Sequence, residues 1–63
     1  MKFKVGDIVE RRGTKIYKSD KKGLITLVEY RHGDPFCGVV WMGADPPRIL
    51  WYEPNDLKMY QQA

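Results

Sequence analysis

The chain has 63 residues, room for one small domain and no second core. Its hydrophobic fraction of 43% is too high for a disordered tail, yet no apolar run approaches the roughly 20 residues of a bilayer-spanning helix. A single cysteine and a single histidine exclude an internal disulfide framework and a structural zinc site of ordinary stoichiometry. With neither staple the fold rests on packing or on oligomerisation, and a homo-oligomer is compatible with it.

The net charge of +3 is unevenly spread: nine of the Lys/Arg residues and four of the acids fall in residues 1–31, giving +5, and residues 32–63 carry −2. The opening "MKFKVGD" reaches a charged turn too early for a signal-peptide core. A cytoplasmic protein with no membrane partner is expected.

Five short extended segments follow in chain order, each bounded by turn residues. The first is "DIVERR", residues 7–12, entered through a turn at Gly6-Asp7, with Val5 and Val9 on one face. A polar loop, "GTKIYKSDKKG", comes next, interrupted by Ile16 and Tyr17. "LITLVEYR", residues 24–31, has the strongest strand composition. Alternation there sets Leu24, Thr26, Val28 and Tyr30 against Ile25, Leu27 and Glu29, two partly apolar faces that suit a long bent strand.

"HGDP" then turns the chain, with Gly33 and Pro35 supplying the geometry. "FCGVVWM" is the third strand and "RILWYE" the fourth, joined by "GADPP". "PNDL" reads as a tight turn or one 3₁₀ turn before a closing strand, "LKMY". No segment carries a 3.6-residue period. The expected fold class is all-β: a single SH3-like barrel of about five antiparallel strands spanning residues 1–63, closed so as to shield its edges.

"VGDIVERR", "GLITLVE", "GVVWM" and "WYEPNDLK" together resemble the G-D-x-V … G-x-I-x-x-V … V-x-W … D-L pattern of SH3-like small barrels. The layout is similar to KOW and Tudor-like domains and to the barrel module of Mind bomb and HERC-type proteins, and to small bacterial and phage proteins. The resemblance implies a binding module: KOW-like members bind nucleic acid or ribosomal partners, and the Mind bomb-type module binds peptides. It describes a fold more than a function.

Two candidate sites arise. On the fourth strand Ile49 is in phase with Trp51, and Leu50 with Tyr52, so a single interior leaves either Trp51 or Tyr52 at least partly outside. Trp41 reads as core. In SH3-like barrels the first loop lines a binding groove, so the resemblance implies that Tyr17, Trp51 and Tyr52 converge as an aromatic surface for a protein or peptide partner. The alternative is a nucleic-acid site on the basic first loop, from Arg11, Arg12, Lys15, Lys18, Lys21 and Lys22, where phosphates release counterions and Tyr17 stacks on bases.

Catalysis is not expected. His32, Asp34 and Cys37 are close in sequence, but the first two fall in an exposed turn and Cys37 in a strand, where it behaves as a small apolar residue. Gly6, Gly13 and Gly23 belong to separate turns and make no phosphate-binding loop. No cofactor and no metal is expected. Asp56 is expected to fix the last turn through local backbone hydrogen bonds.

Overall fold

A computed structural model describes residues 1–12 and 21–63. The strands are β1 (Ile8–Arg11), β2 (Gly23–Arg31), β3 (Asp34–Trp41), β4 (Ile49–Tyr52) and β5 (Leu57–Gln61), with a 3₁₀ turn at Pro54–Asp56 leading into β5. All neighbours pair antiparallel in one sheet of order β4-β3-β2-β1-β5. The all-β class and the five strands stand as the sequence suggests. Among the described residues the ladder does not close into the expected barrel, however: the 3₁₀ turn separates β4 from β5, and these two strands end the sheet.

The β2–β3 hairpin sets the register. Its loop is two residues, His32 at φ 53° and Gly33 at φ 84°, the left-handed pair of a type I′ turn whose twist matches that of the strands. Pro35 is not part of this turn; it lies within β3 opposite Tyr30. The closing pair Arg31–Asp34 of such a loop exchanges both backbone bonds, so along β3 the polar groups alternate. Those of Phe36, Gly38 and Val40 point to β2, and those of Cys37 and Val39 to β4. Two further bonds agree with this phase: Met42 N–H donates to the Lys22 carbonyl (2.8 Å), and Ile25 N–H turns away from β3 to the Asp7 carbonyl (3.0 Å). Pro35 is tolerated because its nitrogen faces away from β2, beyond the point where β4 pairs.

Strict alternation fails once on β2. Ile25 opposes Val39 while Leu27 opposes Gly38, so Thr26 is the extra residue of a β-bulge, with its hydroxyl donating to the Gly38 carbonyl at 3.3 Å. The bulge reverses the phase: Val28 joins Ile25 on the inner face, and Leu27 joins Leu24 on the outer one. A register shift opposite Ile8 and Val9, where Tyr60 is the extra residue, likewise bends β5 against β1.

The core is Phe3, Val9, Ile25, Cys37, Val39 and Leu57, with Val28, Trp41, Tyr52 and Met59 packed against it. Trp41, expected in the core, packs against it half-buried at the rim. The sheet curls around these side chains. Arg11 of β1 lies 5.8 Å from the Tyr52 ring of β4, although a flat sheet would hold those strands about 14 Å apart at ordinary spacing.

Residues 1–7 cap this core, and Asp7 fastens them. Its carboxylate, 1% exposed, accepts the Lys4 N–H on Oδ2 and the Ala63 N–H on Oδ1, both at 2.9 Å. The turn at Val5 and Gly6, with Gly6 at φ 98°, rotates Val5 into solvent, so Val5 does not share the buried face of Val9. Near the other end, the Asp56 N–H donates to the Glu53 carbonyl, and its own carbonyl accepts the Arg12 N–H. These bonds come from the Asp56 main chain, which any residue would supply, and differ from the side-chain bond expected of an aspartate there.

Candidate functional site

Directly opposed residues of an antiparallel ladder share a face, so the register assigns every side chain on β2, β3 and β4 to one side. Leu24, Val40 and Ile49 stand in one row of the outer face, and Leu27, Gly38 and Trp51 in the next. Glu29 and Phe36 form a third row, and Arg31 and Asp34 a fourth. The first two rows carry no polar side chain. Leu24 is 37% exposed, Leu27 43% and Ile49 41%, against a general tendency for exposed sheet faces to alternate toward polar residues.

Trp51 stands in the second row, on the strand that ends the sheet. Gly38 and Trp51 form a non-hydrogen-bonded pair, the closer of the two antiparallel geometries. Its ring lies so near that an ideal Cβ on residue 38 would stand 3.1 Å from Cζ3 and 3.2 Å from Cη2. The Arg31 guanidinium lies over both neighbouring rings, 5.0 Å from the Trp51 ring centroid and 5.3 Å from that of Phe36. Arg31 is also 3.4 Å from Glu29 Oε2, an exposed ion pair at the border of the apolar rows.

Tyr52 faces the other way. On the inner side its ring meets Trp41 edge-on at 5.7 Å, and its hydroxyl accepts the Trp41 Nε1–H at 3.0 Å. The sequence left open which of Trp51 and Tyr52 is outside; Trp51 is the outer one. The two occupy opposite faces of β4 and so do not line one groove, and Tyr17 lies outside the described residues.

Of the basic positions, Lys15 and Lys18 also lie outside the described residues. Arg11, Arg12 and Lys21 are exposed, with Arg11 over Tyr52. Lys22 is 3.5 Å from Glu10 Oε2 and lies over the Tyr60 ring at 4.5 Å.

An open groove of about 690 Å³ runs between the β2–β3 hairpin and the 3₁₀ turn, lined by Tyr30, Asp34, Pro35, Glu53, Pro54 and Asn55 together with Met1 and Lys2. Neither Trp51 nor Tyr52 contributes to it. His32, Asp34 and Cys37 are not brought together. Cys37 is fully buried, and burial pushes its thiol pKa up, with the Asp7 charge adding to the effect. His32 sits exposed at the hairpin tip, about 16 Å further along at ordinary strand rise. Among the described residues no group of three or more His, Cys, Asp or Glu side chains is placed to hold a metal ion, and no helix is long and apolar enough to cross a membrane.

Sequence reasoning missed Phe36, Arg31, Leu24, Leu27 and Ile49 as surface partners of Trp51. For Phe36 the alternation Phe36-Gly38-Val40 was a usable signal. For Leu27 there was none, because the bulge at Thr26 decides its face. No protein-family model, curated protein or solved structure matches the chain.

Proposed function

We propose that the chain is a non-catalytic protein-interaction module whose contact surface is the outer face of β2, β3 and β4, anchored by Trp51. The observation that carries this reading is the seating of Trp51 on Gly38 beneath Arg31, within two rows of exposed aliphatic side chains. Tryptophan and arginine are the residues most enriched where interface energy concentrates. A ring already held against backbone has less rotamer freedom to lose on binding. A contiguous exposed apolar patch on a small monomer marks an interaction surface far more often than scattered leucines do. The resemblance to peptide-binding small barrels points to the same class of partner, a protein or peptide, and the Glu29–Arg31 pair gives the surface a polar border.

The alternative is nucleic-acid binding by the basic first loop, with Arg11, Arg12, Lys21 and Lys22 at its ends. It differs in its salt dependence, since each phosphate contact releases counterions.

The test is to select peptides against the folded chain from a displayed random library and to map the best binder by amide NMR, beside a mixed-sequence oligonucleotide. The expected result is shifts centred on Leu27, Phe36, Gly38 and Trp51, insensitive to salt and lost in Trp51→Ala. Peptide shifts confined to another surface would overturn the assignment of the face. Oligonucleotide shifts at residues 11–22 that fade with salt, with no peptide selected, would replace this reading by the alternative.

A further inference from the structure

We propose that the free edge of β4 is a self-association site, on which a second copy of this chain adds its own β4 antiparallel across a twofold axis, making one continuous sheet. The inference stands apart from the outer-face reading, since it concerns backbone groups at the sheet edge and not the side chains of its face.

The hydrogen-bond phase places those groups. Cys37 and Val39 use their N–H and C=O on β4, opposite Tyr52 and Leu50. The N–H and C=O of Ile49 and Trp51 therefore point off the sheet. Among the described residues no strand pairs with that side of β4.

Edge strands are ordinarily protected by charge, proline or a bulge. β5, the other edge, carries Lys58 and is paired to β1 through a register shift. β4 is Ile-Leu-Trp-Tyr without interruption, and its ladder with β3 is regular.

Charge selects the occupant and its direction. The strand is preceded by Arg48 and followed by Glu53, both exposed. Antiparallel pairing with a second copy brings the basic end of each strand to the acidic end of the other, whereas parallel pairing sets like charges together. A twofold axis through an antiparallel pair keeps equivalent faces on one side, so odd positions oppose odd and even oppose even. Centring the axis on Leu50 sets Ile49 against Trp51 of the second copy, which matches the edge groups that β3 does not use. Leu50, 39% exposed, then meets its own equivalent, and Arg48 lies opposite Tyr52 of the second copy and next to its Glu53.

The test is sedimentation equilibrium of the full chain from micromolar to millimolar concentration. A reversible dimer is expected. Ile49→Pro removes an N–H that β3 does not use, at the first residue of a strand where proline is accepted. It is expected to be monomeric with an unchanged far-ultraviolet circular dichroism spectrum, and Ile49→Lys to behave in the same way. Arg48→Glu is expected to raise the dimer dissociation constant about tenfold, and Arg48→Glu combined with Glu53→Arg to restore it.

Three results would overturn the proposal: a wild-type chain that stays monomeric at millimolar concentration, a dimer that survives Ile49→Pro and Ile49→Lys in folded protein, or a double reversal that recovers nothing. Peptide binding mapped on the wild-type chain, at concentrations below the dimer dissociation constant, keeps the outcome for the outer face separate.

Discussion

Trp51 rests on Gly38. The two residues face each other across β3 and β4, and the indole, together with Ile49 Cγ2, fills the space that any side chain at residue 38 would need. Trp41 stands in the same relation to Gly23 on the inner face, where a Cβ on the glycine would come within 2.9 Å of Cε3. Each tryptophan is thus paired with a glycine in the next strand, one building the core and the other the outer surface. An aromatic ring opposite a glycine covers backbone that the glycine leaves bare, and glycine allows the ring to lie down rather than stand off the sheet.

Gly38→Ala is therefore expected to destabilise the fold by about 1–3 kcal/mol, through overpacking against Trp51 and Ile49. Denaturant melts followed by tryptophan fluorescence check this. In the background of Trp51→Ala the same change is expected to cost less, because two of the three nearest contacts, at 3.1 and 3.2 Å, are with the ring, while the closest, Ile49 Cγ2 at 2.9 Å, remains. Equal costs in both backgrounds would refute the seating.

Tyr52→Phe removes the acceptor of the Trp41 indole N–H while keeping the edge-on ring contact. A loss of about 0.5–1.5 kcal/mol is expected, with a shift in the Trp41 indole N–H resonance and none at Trp51. Movement at both indoles would mean that the faces of β4 are not independent.

Asp7 ties the acid limb of stability to a single carboxylate. The Ala63 N–H is the largest influence holding its pKa below the ordinary value; burial opposes it, and the Lys4 N–H and charge add to the lowering. A depressed folded-state pKa contributes stability that is present above the unfolded value near 3.9 and lost as pH falls through the folded value. Asp7→Asn leaves one of the two N–H groups without an acceptor and is expected to cost about 1–3 kcal/mol at neutral pH. The acid limb of a stability–pH profile should flatten in the variant; an unchanged limb would assign it to other carboxylates.

Cys37 is buried and its thiol is pushed up, so the thiolate is scarce and shielded. Labelling by a thiol reagent is expected to follow global unfolding, slowing in proportion as stability is raised. Fast labelling of the native chain would contradict its place in the core.

His32 occupies a left-handed position that asparagine fills more readily. His32→Asn is expected to raise stability by about 0.5–1 kcal/mol without changing the register of β2 and β3, as read from cross-strand nuclear Overhauser contacts. A destabilised variant would show that the histidine side chain supports the turn.

The motif residues that carry the resemblance all serve the fold. Val9, Ile25, Val28, Val39, Trp41 and Leu57 are core or packed on it. Asp7 clips the ends together, Gly23 makes room for Trp41, and the Asp56 backbone closes the last turn. The pattern was therefore legible as architecture and silent on the proposed contact surface. The outer face is built from residues outside it, among them Leu24, Leu27, Phe36, Ile49 and Trp51.

The sequence by itself determined the five strands, the 3₁₀ turn and the rule that Trp51 and Tyr52 part company, because composition, turn residues and a side-chain period of two are local properties of a chain. The tertiary structure decided which of the two faces out, where Leu27 points and which edges stay open. Those follow from pairing partners distant in the chain: one bulged residue at Thr26 reverses a face, and the register against β3 determines which backbone groups of β4 point away from it.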